Sequence, residues 1–212
     1  MYCYPDGSTF CFSCRKGNRT TKFVPKIEEA SEEDAVVLPP ECSQDFDKRA
    51  IAWVSKASLT VEDMIKHGLL WNEAKQQLIF PFYDENAKIL AWQARNFSPN
   101  AKAKVFTKGD IKKLFPIYHG ANDLVLVEDC LSAIKVNKHT QLSSMPLLGS
   151  GISKAKLPYL TKKYEHIYVW LDSNMLSSAQ NIATQIRMLG GSSSVVFTEK
   201  DPKYCDVLDI LS

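Results

Sequence analysis

No apolar run approaches the about 20 residues that a helix needs to cross a bilayer. Nor does the chain open with a basic start, an apolar stretch and a small-residue cleavage site, so no export signal is expected and the protein is read as cytoplasmic. Histidine is scarce, and His67, His119, His139 and His166 stand at no metal-ligand spacing. A strong charge of either sign is missing too. The net charge of +2 leaves any polyanionic partner to be read from where the charges lie. No internal repeat or low-complexity tract is present. The six cysteines (Cys3, Cys11, Cys14, Cys42, Cys130, Cys205) are unevenly spaced, and without an export signal they point to reduced thiols or a metal site rather than disulfides. What remains, 212 residues of which 45% are hydrophobic and 24% charged, suits a soluble globular protein of one domain or two small ones.

The first stretch runs Tyr4-Pro-Asp-Gly-Ser-Thr-Phe-Cys-Phe-Ser-Cys14: a turn signal, a short β-prone run, then Cys11-x-x-Cys14. A hairpin ending in a metal hook is half of a zinc ribbon, and Cys11 and Cys14 are candidate zinc ligands. Tetrahedral zinc needs four ligands, and no second hook stands upstream; two cysteines holding no metal is the alternative. Residues 24–43 are acidic and proline-bearing, which predicts a flexible linker, with the folded region starting just after it. Apolar residues at Phe46, Ala50, Ile51, Trp53 and Val54 predict an amphipathic helix over Asp45 to Lys56. Thr60-Val-Glu-Asp63 predicts the cap of a short helix ending at Gly68. Leu78 to Tyr83 and Ile89 to Arg95 predict a hairpin turning at Asp84-Glu-Asn86. Its second strand sets Ala91, Gln93 and Arg95 on one face, which can look outward. Arg95, Lys102, Lys104, Lys108, Lys112 and Lys113, interleaved with Phe97 and Phe106, form either a grip for a phosphate backbone or a solvated basic surface.

After Ala121 strands alternate with helices, which predicts a parallel sheet with helices on both faces. The expected strands are Leu124 to Val127, Met145 to Leu148, Ile167 to Leu171 and Ser194 to Thr198. Leu124-Val-Leu-Val-Glu128 and Ile167-Tyr-Val-Trp-Leu-Asp172 are continuous apolar runs stopping on a carboxylate, the pattern of strands buried on both faces. The carboxyl edge of such a sheet is where α/β folds build their sites, and Glu128 and Asp172 delivered there suit a hard cation such as Mg²⁺. Carboxylates at strand ends also cap neighbouring helices, and Asp201-Pro202 also opens turns.

Glu128, Asp172 and Asp201, in that order and spacing, resemble the toprim domain of DnaG-type primases, topoisomerases and some nucleases, over Asn122 to about Leu211. The hairpin with Ala91-Trp-Gln-Ala-Arg95, the lysine-rich stretch to Lys113 and the segment ending at Cys14 are similar to the corresponding pieces of phage DNA primases and primase-helicases. The resemblance implies an α/β fold: a toprim-type parallel sheet with flanking helices, preceded by a small basic α+β subdomain and a partial zinc-ribbon-like N-terminus. It divides the chain into residues 1–23 (ribbon-like segment), 24–43 (linker), 44–120 (basic subdomain) and 121–212 (toprim). Glu128, Asp172 and Asp201 would be catalytic, with Glu128, Asp172 and Asn174 holding Mg²⁺ or Mn²⁺. Arg95, Lys104 and Lys108 would grip template and nucleotide phosphates.

The implied activity is synthesis of short RNA primers on single-stranded DNA by metal-dependent nucleotidyl transfer. Its partners would be single-stranded DNA, ribonucleoside triphosphates and a replicative helicase, in the cytoplasm of a bacterial host if phage-encoded, with no membrane. Against the family pattern, Asn174 stands where the second acid of D-x-D is expected, Asp129 replaces a glycine, and Ser132 replaces an acid. With the first zinc hook missing and no helicase region after Ser212, the chain looks like a primase core beginning inside its own ribbon. A module that binds single-stranded DNA and replication partners without full catalysis is the competing expectation. A toprim nuclease is a third, and the basic hairpin argues against it.

Overall fold

The computed structural model describes residues 2–3, 9–10, 17–18, 36–84, 86–111, 114–149 and 151–211. Cys11, Cys14, Lys112 and Lys113 lie outside the described residues, so the expected zinc hook and the end of the lysine run are not addressed by it. The chain forms two compact units, Met1–Ala35 and Val36–Ser212. In the first, β1 (Tyr2–Cys3), β2 (Thr9–Phe10) and β3 (Gly17–Asn18) pair antiparallel in that order.

The second unit holds two sheets. The first is antiparallel and runs in sequence order: β4 (Cys42–Ser43), β5 (Leu70–Asn72), β6 (Gln77–Tyr83), β7 (Ile89–Asn96) and β8 (Val105–Gly109). Two helices precede β5. In α1 (Lys48–Ser55) Asp47 caps the start by accepting from Arg49 N at 2.7 Å, and Ala50 and Val54 turn inward. In α2 (Val61–Lys66) Thr60 and Asp63 form the expected capping box, with Met64 buried beneath it. The sheet also takes in residues expected in the linker. Cys42–Ser43 is its edge strand, and Val36 and Leu38 pack against Ile79, Trp92 and Ala94.

One expectation is corrected. The face of Ala91, Gln93 and Arg95 is an inner one, because Phe80 lies opposite Gln93 and this side of the sheet packs on Cys130, Leu131 and Ile134. Gln93 is only 8% exposed; it donates to Thr107 Oγ1 at 3.3 Å and accepts from Cys130 Sγ at 3.6 Å.

The second sheet is parallel, in the order β10 (Leu142–Pro146), β9 (Ala121–Val127), β11 (His166–Val169), β12 (Ser192–Val195). Between its strands run α3 (Cys130–Thr140), α4 (Leu157–Lys163) and α5 (Leu176–Met188), and α6 (Val207–Leu211) closes the chain. β9 is buried on both faces, as its unbroken apolar run predicts. Leu124 and Leu126 face Leu160, Ile182 and Ile186, while Val125 and Val127 face Ala133, Val136 and Val207. Two strands begin earlier than expected because serines enter them with their hydroxyls satisfied. Ser143 Oγ donates to Ala121 O and Ser144 Oγ to Ala133 O, at 2.9 and 2.7 Å; on β12, Ser192 and Ser194 bond the His166 ring. Among the described residues no helix is long and apolar enough to cross a membrane.

Candidate active site

β9 and β11 are neighbours in the middle of the parallel sheet, with Val169 opposite Leu126. The pairing continues past β11, since Trp170 N donates to Leu126 O at 2.8 Å. Glu128 and Asp172 therefore leave the sheet at the same edge. Neither caps a helix. The Glu128 side chain makes no hydrogen bond or ion pair among the described residues, while its backbone oxygen accepts from Leu148 N at 3.1 Å. Asp172 begins the one-turn 3-10 helix Ser173–Met175 with its backbone oxygen accepting from Met175 N at 2.8 Å, but its side chain makes no cap bond, and among the described residues its buried Oδ1 has no partner.

The carboxylates form one electrostatic group. Burial, more than any neighbour, pushes the Asp172 carboxyl up to about 6; Lys203 opposes this, and Glu128, Asp201 and Asp129 add to it. Burial also raises Glu128, followed by the charge of Asp129, with Lys203 again opposing. Asp129 is held otherwise. It caps α3 by accepting from Ser132 N at 2.9 Å and from Ser132 Oγ at 3.1 Å.

Lys203 then bridges Asp129 to Asp201, its Nζ 2.8 Å from an oxygen of each. Burial disfavours that ammonium, but the charge of Asp129, its hydrogen bond and that of Asp201, and the charge of Asp172 outweigh it and the pKa rises. The structure thus brings together Glu128, Asp172 and Asp201 from the expected set. It adds Asp129 and Lys203. Asn174 sits exposed on the 3-10 helix after Asp172, making no hydrogen bond among the described residues.

A cavity of about 140 Å³ lies between the antiparallel sheet with α1 and the start of α3 with the 3-10 turn Pro202–Tyr204. Trp53, Gln93 and Arg95 line one side, and Asp129, Lys203 and Tyr204 the other. The Arg95 guanidinium carbon lies 5.2 Å from the Trp53 ring centroid, and Arg95 Nε is buried with no partner. Lys108 is not part of this cavity. It pairs with Trp92 on β7 while Arg95 pairs with Val105, so by strand alternation Lys108 projects from the opposite face; Lys104 stands exposed in the bend just before β8.

Among the described residues no group of three or more His, Cys, Asp or Glu side chains is arranged to hold a metal. An ammonium occupies Asp129 and Asp201. Glu128 and Asp172 remain open. A hard cation bound through one or two carboxylates and completed by substrate oxygens and water fits the unpartnered Asp172 oxygen.

No family model and no curated protein matches the sequence. Solved structures do. The Aquifex aeolicus primase, in its zinc-binding and RNA polymerase domains, aligns at TM-score 0.61 and 12% identity over 74% of this chain and 52% of its own. The primase fragment of the bacteriophage T7 primase-helicase aligns at TM-score 0.54 and 17% identity, covering 96% of this chain and 87% of that one. A DnaG primase catalytic domain solved bound to single-stranded DNA aligns at TM-score 0.58 and 13% identity, over 74% and 66%.

The fold is that of a primase catalytic core. This chain spans about half the length of the Aquifex primase structure. At these identities the likeness is one of fold. In the primase fold seen here, Lys203 is the site residue that sequence reasoning missed, while Asp129, noted there as replacing a glycine, turns to Lys203 and the start of α3. Lys203 stands two residues after Asp201, which was a local signal. Its approach to Asp129, 74 residues away, was not.

Proposed function

We propose that this chain is the catalytic core of a phage-type DNA primase, making short RNA primers on single-stranded DNA from ribonucleoside triphosphates. The observation that carries the reading is the shared cavity, where Arg95 and Lys203 present positive charge beside carboxylates at the sheet edge. Arg95, stacked on Trp53 with a free buried Nε, is suited to receive a nucleotide phosphate. Trp53 and Tyr204 offer ring faces for a base. Glu128, raised by burial, is placed to take the proton of an attacking 3′-hydroxyl. Mg²⁺ or Mn²⁺ held by Glu128 and Asp172, with Asn174 adjoining, would neutralise charge on the attacking and leaving oxygens.

Lys108, exposed on the far face of the sheet, and Lys104, exposed just before β8, then serve the template strand beyond the cavity rather than the nucleotide. The solved DnaG domain bound to single-stranded DNA supports that partner, and the T7 likeness supports a replicative helicase and a phage setting in a bacterial cytoplasm. The division at residue 120, and zinc on Cys11 and Cys14, belong to the same proposal. Elemental analysis for zinc tests the last of these.

The test is template-directed synthesis of oligoribonucleotides with Mg²⁺ or Mn²⁺. Product is expected from the intact chain and lost by at least about 100-fold in Glu128→Gln. A second reading, a module that grips single-stranded DNA without catalysis, draws on the exposed amide of Asn174 and the ammonium among the acids. It is the outcome if neither this chain nor Asn174→Asp makes product while both bind single-stranded DNA with steep salt dependence.

A further inference from the structure

Lys203 reaches the carboxylates from the 3-10 turn Pro202–Tyr204, and its side chain is only 13% exposed. Both of its partners are fixed by other contacts or by the turn itself. Asp129 is tied to Ser132 as the cap of α3, and Asp201 opens the turn that carries the lysine, ahead of the buried Pro202. The turn is anchored in addition by Lys135 of α3, whose Nζ donates to the carbonyls of Lys203 and Cys205 at 3.0 and 2.6 Å. The helix that Asp129 caps therefore also holds the backbone that delivers Lys203. Two carboxylates are thereby bridged by one covalently attached cation, which offsets one of their two charges. The side chains of Glu128 and Asp172 are left without hydrogen-bond or ion-pair partners among the described residues.

Beside Glu128 and Asp172 the carboxylates of this group are Asp129 and Asp201, so a second divalent ion would draw an oxygen from one of them. To take one it would have to displace an ammonium from two charge-assisted bonds in a mostly buried setting, or sit beside that ammonium. We propose that Lys203 is a tethered cation standing in for a second divalent ion, so that this chain binds one metal, at Glu128 and Asp172, while Asp129 and Asp201 are closed to metal. The placing of that one metal rests on the function proposed above; the closing of Asp129 and Asp201 by Lys203 does not. The lysine also lines the cavity, so the charge it supplies is present before any nucleotide arrives.

The test counts bound Mn²⁺ by electron paramagnetic resonance on the full chain at neutral pH. One ion per chain is expected for the wild type and for Lys203→Arg, and two for Lys203→Met, the second lost again in Lys203→Met/Asp129→Asn. Two ions on the wild type, or still one on a Lys203→Met chain with native near-ultraviolet circular dichroism, would overturn the proposal. If the wild type binds none and Lys203→Met gains one, the metal at Glu128 and Asp172 fails and the lysine's role stands. Should Lys203→Met not fold, Asp201→Asn decides. Its Mn²⁺ affinity stays within about threefold of wild type if the lysine alone uses Asp201, and falls about tenfold or more if Asp201 is a ligand.

Discussion

At Asp172, burial and three neighbouring carboxylates act in one direction and Lys203 in the other, and the carboxyl ends near 6 instead of 3.8. Between those values the native chain keeps a proton that the unfolded chain has lost. Stability therefore falls as pH rises from about 4 to about 6 and stays lower above that. Asp172→Asn removes the penalty. In metal-free buffer at pH 7.5 it is expected to raise stability by about 1 kcal/mol, after discounting for solvent screening, and at pH 3.5 to leave it unchanged. Melting curves against pH check this, and a gain that persists at pH 3.5 would contradict it. Arg95 offers a second residue-scale test. Arg95→Lys keeps the charge and loses the planar fork over Trp53, so ATP affinity, followed by Trp53 fluorescence, is expected to fall about tenfold with little change in melting temperature.

Among the elements, α3 carries the most. Its first residue is capped by a carboxylate that also belongs to the site, and its last turn ends in Gln141 with φ 60°, a left-handed cap filled by a residue other than glycine. Gln141→Gly is expected to stabilise the chain by about 0.5–1 kcal/mol in urea unfolding. Gly120 behaves oppositely. A Cβ there would run into the Gln141 carbonyl oxygen and Leu142, so Gly120→Ala is expected to destabilise by about 1–3 kcal/mol in the same measurement.

The elements also show what was legible beforehand. β9 and β11 could be read because a strand covered on both faces leaves an unbroken apolar run, and each run stopped at its acid. β10 and β12 were displaced because Ser143, Ser144, Ser192 and Ser194 read as loop until their hydroxyls are seen to find partners. Gln93 was assigned to the wrong environment because alternation pairs residues on a face without saying which face another layer will cover. Lys203 was missed for a related reason, since its role depends on a partner in a distant strand-helix junction.

On the scale of the whole unit, α3 joins the two sheets, packing Ala133 and Val136 on β9 and its other face on the antiparallel sheet. Trp71, Leu78, Phe80 and Phe82 of the antiparallel sheet pack in the same cluster as Cys130, Leu131 and Ile134 of α3. Lys138 of α3 adds an ion pair to Asp63 of α2 at 2.7 Å. The two sheets should therefore unfold together. Ile134→Ala is expected to lower stability by about 2–5 kcal/mol while keeping a single transition, with tryptophan fluorescence and far-ultraviolet circular dichroism superimposing; two separated transitions would show that the sheets are independent.

That shared core also governs how the cavity can work. Its two walls, Arg95 on one and Asp129 with Lys203 on the other, are mounted on a single packed body. They behave as the fixed jaws of a gauge, not as a hinge. A nucleotide would then be admitted or refused by whether its phosphates and base span a gap already set, and substitutions in the packing beneath the jaws, far from any substrate, would change which nucleotides pass.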